Sequence, residues 1–158
     1  MKLKTLVLLA ALVGSLWAQA PSSQAPSPQT PSPREVDAVY PDAHALYLDI
    51  HQNPELSSHE IQTAAKLAGR LRALGYEVTE HVGGTGIVAI LKNGAGTTVM
   101  LRTELDALPV EEKTGLSYAS KVRGKDDAGH DVPVMHACGH DLHTSMLVGA
   151  AKLLSARR

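Results

Sequence analysis

The apolar positions of this chain fall into runs of different period. Ala43, Leu46, Tyr47 and Ile50 recur three and four apart, which predicts a helix that stops before Pro54. Ser57-Ser58-His59-Glu60 has the form of a capping box, with the Ser57 hydroxyl set against the Glu60 amide. It predicts a second helix that buries Ile61, Ala64, Ala65, Ala68 and Leu71 and is closed by Gly75. The period then changes. Tyr76 to His81 reads as a short strand, and Gly86 to Leu91 and Thr97 to Leu101 as two nearly all-apolar strands covered on both faces. Asn93-Gly94-Ala95-Gly96 between the latter two predicts a hairpin turn. Residues 103–135, with Pro109, Gly115, Gly124, Gly129 and Pro133, read as loop. A last helix from about Leu142 puts Met146, Leu147, Ala150, Leu153 and Leu154 at core spacing. This order of elements predicts an α/β fold, a layered sheet with flanking helices.

The first residues follow another rule. Lys2 and Lys4 precede an apolar run from Leu6 to Leu16, broken only by Gly14 and Ser15, and Ala18-Gln19-Ala20 is a small-x-small site. Residues 1–20 therefore read as a secretory signal peptide. The run is shorter than the ~20 apolar residues of a spanning helix. The expected location is periplasmic or extracellular, with no membrane attachment after cleavage. Residues 21–34 are rich in Pro, Ser and Gln and read as a disordered linker. The folded domain is expected over residues 35–158, without internal repeats.

Composition narrows the chemistry. With 15 basic and 16 acidic residues the net charge is −1, which gives no electrostatic reason to expect a nucleic acid. There is no Phe, so the core must be built from Leu, Val, Ile and Ala. All eight His follow residue 43, and four lie between His130 and His143. The single Cys, Cys138, has no disulfide partner in the chain. In an oxidising compartment it is a free thiol, an intermolecular link or a metal ligand.

Cys138-Gly139-His140 stands at the start of the last predicted helix. Residues two apart in extended backbone project to one side, and Gly139 permits a tight turn, so a thiolate and an imidazole can converge on one cation. A helix N-terminus favours the thiolate, and zinc suits sulfur and nitrogen together. Taken alone, the pair could equally be a buried, inert Cys beside surface His. Asp106 and Glu104 follow the apolar run Val99 to Leu101, where α/β enzymes place working carboxylates. Solvated loop acids are the competing account.

Arg102 to Pro109, Val110 to Leu116, and Met135-His136-Ala137-Cys138-Gly139-His140-Asp141 with His143-Thr144 resemble the M20 metallopeptidase family. The likeness is to its amidohydrolase branch of hippurate hydrolases, N-acyl-amino-acid deacylases and auxin-conjugate hydrolases. His51-Gln52-Asn53-Pro54-Glu55-Leu56-Ser57 and Gly83-Gly84-Thr85-Gly86 are similar to the same branch. The resemblance spans about residues 40–158 and implies the N-terminal portion of a di-metal aminopeptidase-like catalytic domain. It implies that Cys138 and His140 are metal ligands. Asp106 would be the acidic residue that supports the metal centre and orients a ligand or the base. Glu104 stands where the branch has Asp and receives no role. His136 and His143 are expected to support or pack rather than ligate, and Asp141 to cap the last helix. Glu111-Glu112 precedes the ligand motif, whereas the family's basic Glu pair follows it, so both are expected to be solvated loop charges.

The implied reaction is metal-dependent hydrolysis of an N-acyl amino acid by two divalent ions, Zn2+ or Mn2+, and a Glu base. The implied partners are that small-molecule substrate and, in full-length form, a second copy of the chain. The base and further ligands are expected beyond Arg158, so residues 21–158 alone should be inactive and poorly soluble. The competing class is a non-catalytic exported metal-binding or interaction module, or an inert truncated remnant.

Overall fold

Helix α1 (Pro33–Gln52) is started by chemistry that the apolar period does not register. The Ser32 hydroxyl accepts from the Glu35 amide and the Glu35 carboxylate accepts from the Ser32 amide, a reciprocal box with Pro33 at the first helical position. The computed structural model describes residues 30–158, so the signal-peptide reading and most of the linker lie outside the described residues. The linker boundary at residue 34 is corrected, because Pro33 and Arg34 belong to α1. The predicted stripe is the helix's inner face, with Leu46 and Ile50 buried.

Helix α2 (Ile61–Ala73) begins where expected but is capped differently. Glu55 accepts from the amides of Gln62 (3.0 Å) and Thr63 (2.7 Å), doing the work assigned to Ser57. Glu60 is buried and accepts a hydrogen bond from the Thr85 hydroxyl. A carboxylate brought over the helix start from the preceding loop satisfies the free amides as well as a hydroxyl and adds a favourable charge. The buried face is Thr63, Ala64, Leu67, Ala68 and Leu71, whereas Ile61 and Ala65 point outward. Gly75, at φ 86°, ends the helix. Its amide reaches the Arg72 carbonyl and that of Tyr76 reaches Leu71, the double bond of a Schellman motif.

Strands β1 (Glu77–Val82) and β2 (Gly86–Ile90) pair antiparallel through the turn at residues 83–85. The hairpin turn predicted at Asn93–Gly96 joins no strand pair. Thr97–Leu101 is unpaired, with Val99 and Met100 about four-fifths exposed, and Val88 and Ile90 of β2 are also exposed. An apolar run records that a segment suits burial. It does not supply the neighbouring strand that buries it. Residues 103–135 are not all loop: β3 (Arg123–Lys125) pairs antiparallel with β4 (Asp131–Pro133), two three-residue strands too short and too charged to show a period.

Helix α3 (His140–Ser155) packs against α1. One cluster of buried side chains joins Leu46, Ile50, Leu67 and Val148, with Ile87 and Leu105 against it. A second joins Leu56, Ala107 and Val134. The predicted apolar face of α3 is corrected. The buried face is Asp141, Thr144, Ser145, Val148, Gly149 and Ala151, while Met146 and Leu154 are half exposed.

Candidate metal centre

Two backbone connections bring the chemistry-bearing strings together. Leu108 and Met135 exchange amide-to-carbonyl bonds of 2.9 and 3.0 Å, and the Ala107 amide donates to the Glu55 carbonyl at 2.7 Å. The segment that holds Asp106 is thus tied both to the loop before α2 and to the strand that leads into His136–His140. Gly139, at φ 78°, turns the chain from that strand into α3, a left-handed conformation in which any side chain would be strained. His140 is then the first residue of the helix.

His140 Nδ1 lies 2.9 Å from the Asp106 carbonyl oxygen and 3.1 Å from its carboxylate. Both are acceptors, so Nδ1 carries the proton and Nε2 is left with a lone pair. This is the arrangement that readies an imidazole for a metal ion. Cys138 is exposed, two residues before His140. A thiol and an imidazole with its second nitrogen already engaged fit a zinc-like ion as part of a donor set. Among the described residues no group of three or more His, Cys, Asp or Glu side chains is placed to hold a metal. Glu104 pairs with Arg102 at 2.8 Å, and its carbonyl accepts from the Thr144 hydroxyl. The His143 ring is 6.1 Å from that of His140.

Asp141 is not chiefly a cap. It is buried, and one carboxylate oxygen meets His51 Nδ1 at 2.7 Å while the other accepts from the Leu142 amide at 2.8 Å. His51 Nε2 meets Glu112 at 3.2 Å. Glu111 is a solvated loop charge paired with Lys113, as expected, but the same reading of Glu112 is overturned. The Glu112 side chain has no exposure and also accepts from the Thr114 hydroxyl and the Ser120 amide. Burial alone would depress the His51 pKa, but the hydrogen bonds it donates to Asp141 and Glu112 outweigh it and hold it above the ordinary imidazole value. Burial pushes Glu112 up, and its hydrogen bonds from Thr114, Ser120 and His51 bring it below the usual carboxylate value.

Sequence reasoning missed His51 as a partner of this site. The available signal was its position four residues after Tyr47, a titratable group continuing an apolar stripe. Nothing local marked Glu112. His136 is buried with neither ring nitrogen bonded in the structure, and burial holds it below the ordinary imidazole value. Tyr47, whose ring is 5.6 Å from His51, is pushed up to about 12 by burial and then by Tyr118.

Residues 100–158 match the model of Peptidase family M20/M25/M40. The chain is 46% identical over 109 residues to the hippurate hydrolase of Campylobacter jejuni, covering 68% of this chain and 26% of that protein. It is 50% identical over 107 residues to thermostable carboxypeptidase 2 of Saccharolobus solfataricus, covering 66% and 25%. To the N-acetyl-L-cysteine deacetylase of Bacillus subtilis it is 45% identical over 106 residues, covering 66% and 23%. Among solved structures, the Bacillus subtilis YXEP protein, a dinuclear metal binding peptidase from the M20 family, superposes with a TM-score of 0.66 at 35% identity, covering 77% of this chain and 32% of that one. The chain spans about a quarter of the length of the curated relatives it matches.

Proposed function

We propose that this chain, an M20-family sequence, contributes Cys138, His140 and Asp106 to the metal centre of an exported amidohydrolase that cleaves N-acyl amino acids. The observation that carries the reading is the engagement of His140 Nδ1 by Asp106 beside Cys138, at the helix start of a family motif. Cys138 and His140 would hold a divalent ion, Zn2+ or Mn2+. When bound, such ions polarise an amide carbonyl and lower the pKa of water toward neutrality. Asp106 fixes the tautomer and direction of His140, and the left-handed turn at Gly139 carries the chain from Cys138 directly into the helix that His140 begins. Two ligands are fewer than the three or four that hold catalytic or structural zinc. Further donors and a Glu base to carry the proton to the leaving amine would be needed beside them, and residues 21–158 by themselves should not hydrolyse amides.

The test uses the mature protein as its gene encodes it, recovered from outside the cytoplasm, where its first residue should be Pro21. Cys138→Ala and His140→Ala should each lower bound metal by elemental analysis and remove release of benzoate from hippurate or acetate from N-acetyl amino acids. Full metal occupancy in both variants would place the ligands elsewhere. Metal binding without hydrolysis in the unaltered protein would favour the non-catalytic metal-binding module.

A further inference from the structure

We propose that His51 is a positioning residue for the metal centre, a cationic clamp that acts through Asp141 on the helix turn bearing His140. The proposal rests on the metal-centre reading above and assigns it a residue remote in sequence. His51 sits at the end of α1, Asp141 in the first turn of α3, and Glu112 in the loop between. Their side chains are 6%, 3% and 0% exposed, so water does not complete their hydrogen bonds. Both ring nitrogens face carboxylates, at 2.7 and 3.2 Å, and a carboxylate can only accept. A neutral imidazole would set a lone pair against one of them. His51 is therefore the imidazolium, one positive charge shared by two buried negative ones.

Every oxygen of the trio has a further reason to stay where it is. Asp141 spends its second oxygen on the Leu142 amide, and its carbonyl accepts from the Ser145 hydroxyl at 2.7 Å. Glu112 spends its second oxygen on the Ser120 amide. Tyr118 packs edge-on to the His51 ring at 5.4 Å and Tyr47 lies tilted at 5.6 Å, closing it from solvent. The Asp141 carboxylate thus has one position, and the residue just before it in the chain is His140. Losing the donor that His51 aims at Asp141 leaves that buried carboxylate short of its partner, which is relieved by moving the first turn of α3.

The two ring nitrogens can be tested separately. The amide nitrogen of Asn stands where Nδ1 stands, and that of Gln where Nε2 stands. His51→Asn keeps the donor toward Asp141 and loses the one toward Glu112, and His51→Gln does the reverse. In the protein as its gene encodes it, each variant should lower the melting temperature, because each orphans one carboxylate. Zinc affinity, measured by competition with a chromophoric chelator, should fall by about 10-fold or more in His51→Gln, the range for outer-shell partners of metal ligands. It should stay near the unaltered value in His51→Asn. Asp141→Asn and Glu112→Gln, which keep side-chain shape, repeat the split from the acceptor side, the first losing zinc affinity and the second sparing it. Equal loss within both pairs, or no loss in any variant, overturns the clamp while leaving the metal centre intact. An unaltered protein that binds no zinc overturns both.

Discussion

Helices α2 and α3 bury opposite kinds of residue. The inner face of α2 is mainly apolar, with Ala64, Leu67, Ala68 and Leu71. The inner face of α3 begins with Asp141, Thr144 and Ser145, and its large apolar residues Leu142, Met146 and Leu154 stand about half exposed. The difference follows from what each helix meets. α2 covers the β1–β2 hairpin, whose backbone groups already pair with each other. α3 covers residues 103–106, an unpaired segment, and the Thr144 hydroxyl donates to the Glu104 carbonyl at 2.8 Å in place of a neighbouring strand. A helix laid on bare backbone must bring hydroxyls and carboxylates inward. In this domain the polar interior of α3 also holds Asp141, the buried partner of His51.

Three changes would break or sharpen that contrast. The largest effect should come from the apolar interior. Leu46 is fully buried in the cluster that α1, α2 and α3 share, and Leu46→Ala should destabilise by about 2–5 kcal/mol in urea melts. An intermediate effect should come from pH through the polar interior. The folded-state pKa of His51 is raised above 6.5, so its contribution is complete below that value and is lost as pH rises through the raised one. Glu112 is lowered from 4.5, so its contribution is present above that value and is lost as pH falls through the lowered one. Melting temperature should therefore be highest between those two values, and His51→Gln should remove the alkaline decline; a decline unchanged in that variant would assign it to other groups. The smallest effect on stability should come from the outer face. Met146→Lys with Leu101→Lys should change unfolding free energy by no more than about 0.5 kcal/mol, while light scattering shows less self-association of the mature chain.

The sequence was legible where a residue's neighbours in space are also its neighbours in the chain. The stripe Leu46–Ile50, the stop at Gly75 and the β1 and β2 segments follow from local period and turn chemistry. The outer placement of Met146 did not, because it depends on a backbone segment forty residues away that needs hydroxyl donors. The capping of α2 by Glu55 rather than Ser57 likewise reflects a choice between two chemically adequate groups that only the path of the loop decides. Cys138, His140 and Asp106 were named together through motif resemblance; the structure brings His140 and Asp106 within hydrogen-bond distance, a contact that only the fold could show. Glu112 shows the limit most plainly. Beside Glu111 it looks like half of a solvated pair, yet the two side chains part, one to Lys113 and solvent, the other into a closed space beside His51.

The trio also has a history during folding. Its members are separated by 61 and 90 residues, the latter about seven tenths of the length of the described chain. Loop-closure entropy grows only with the logarithm of length, so the longer closure costs merely a few tenths of a kcal/mol more than the shorter. The greater burden is one of sequence in time. As the chain emerges from its N-terminus, His51 is made long before Asp141, and until both carboxylates arrive an imidazolium there has no buried partner to hold. The geometry of the turn that begins α3 is therefore among the last things this domain acquires, because the ends of that long loop must come together first.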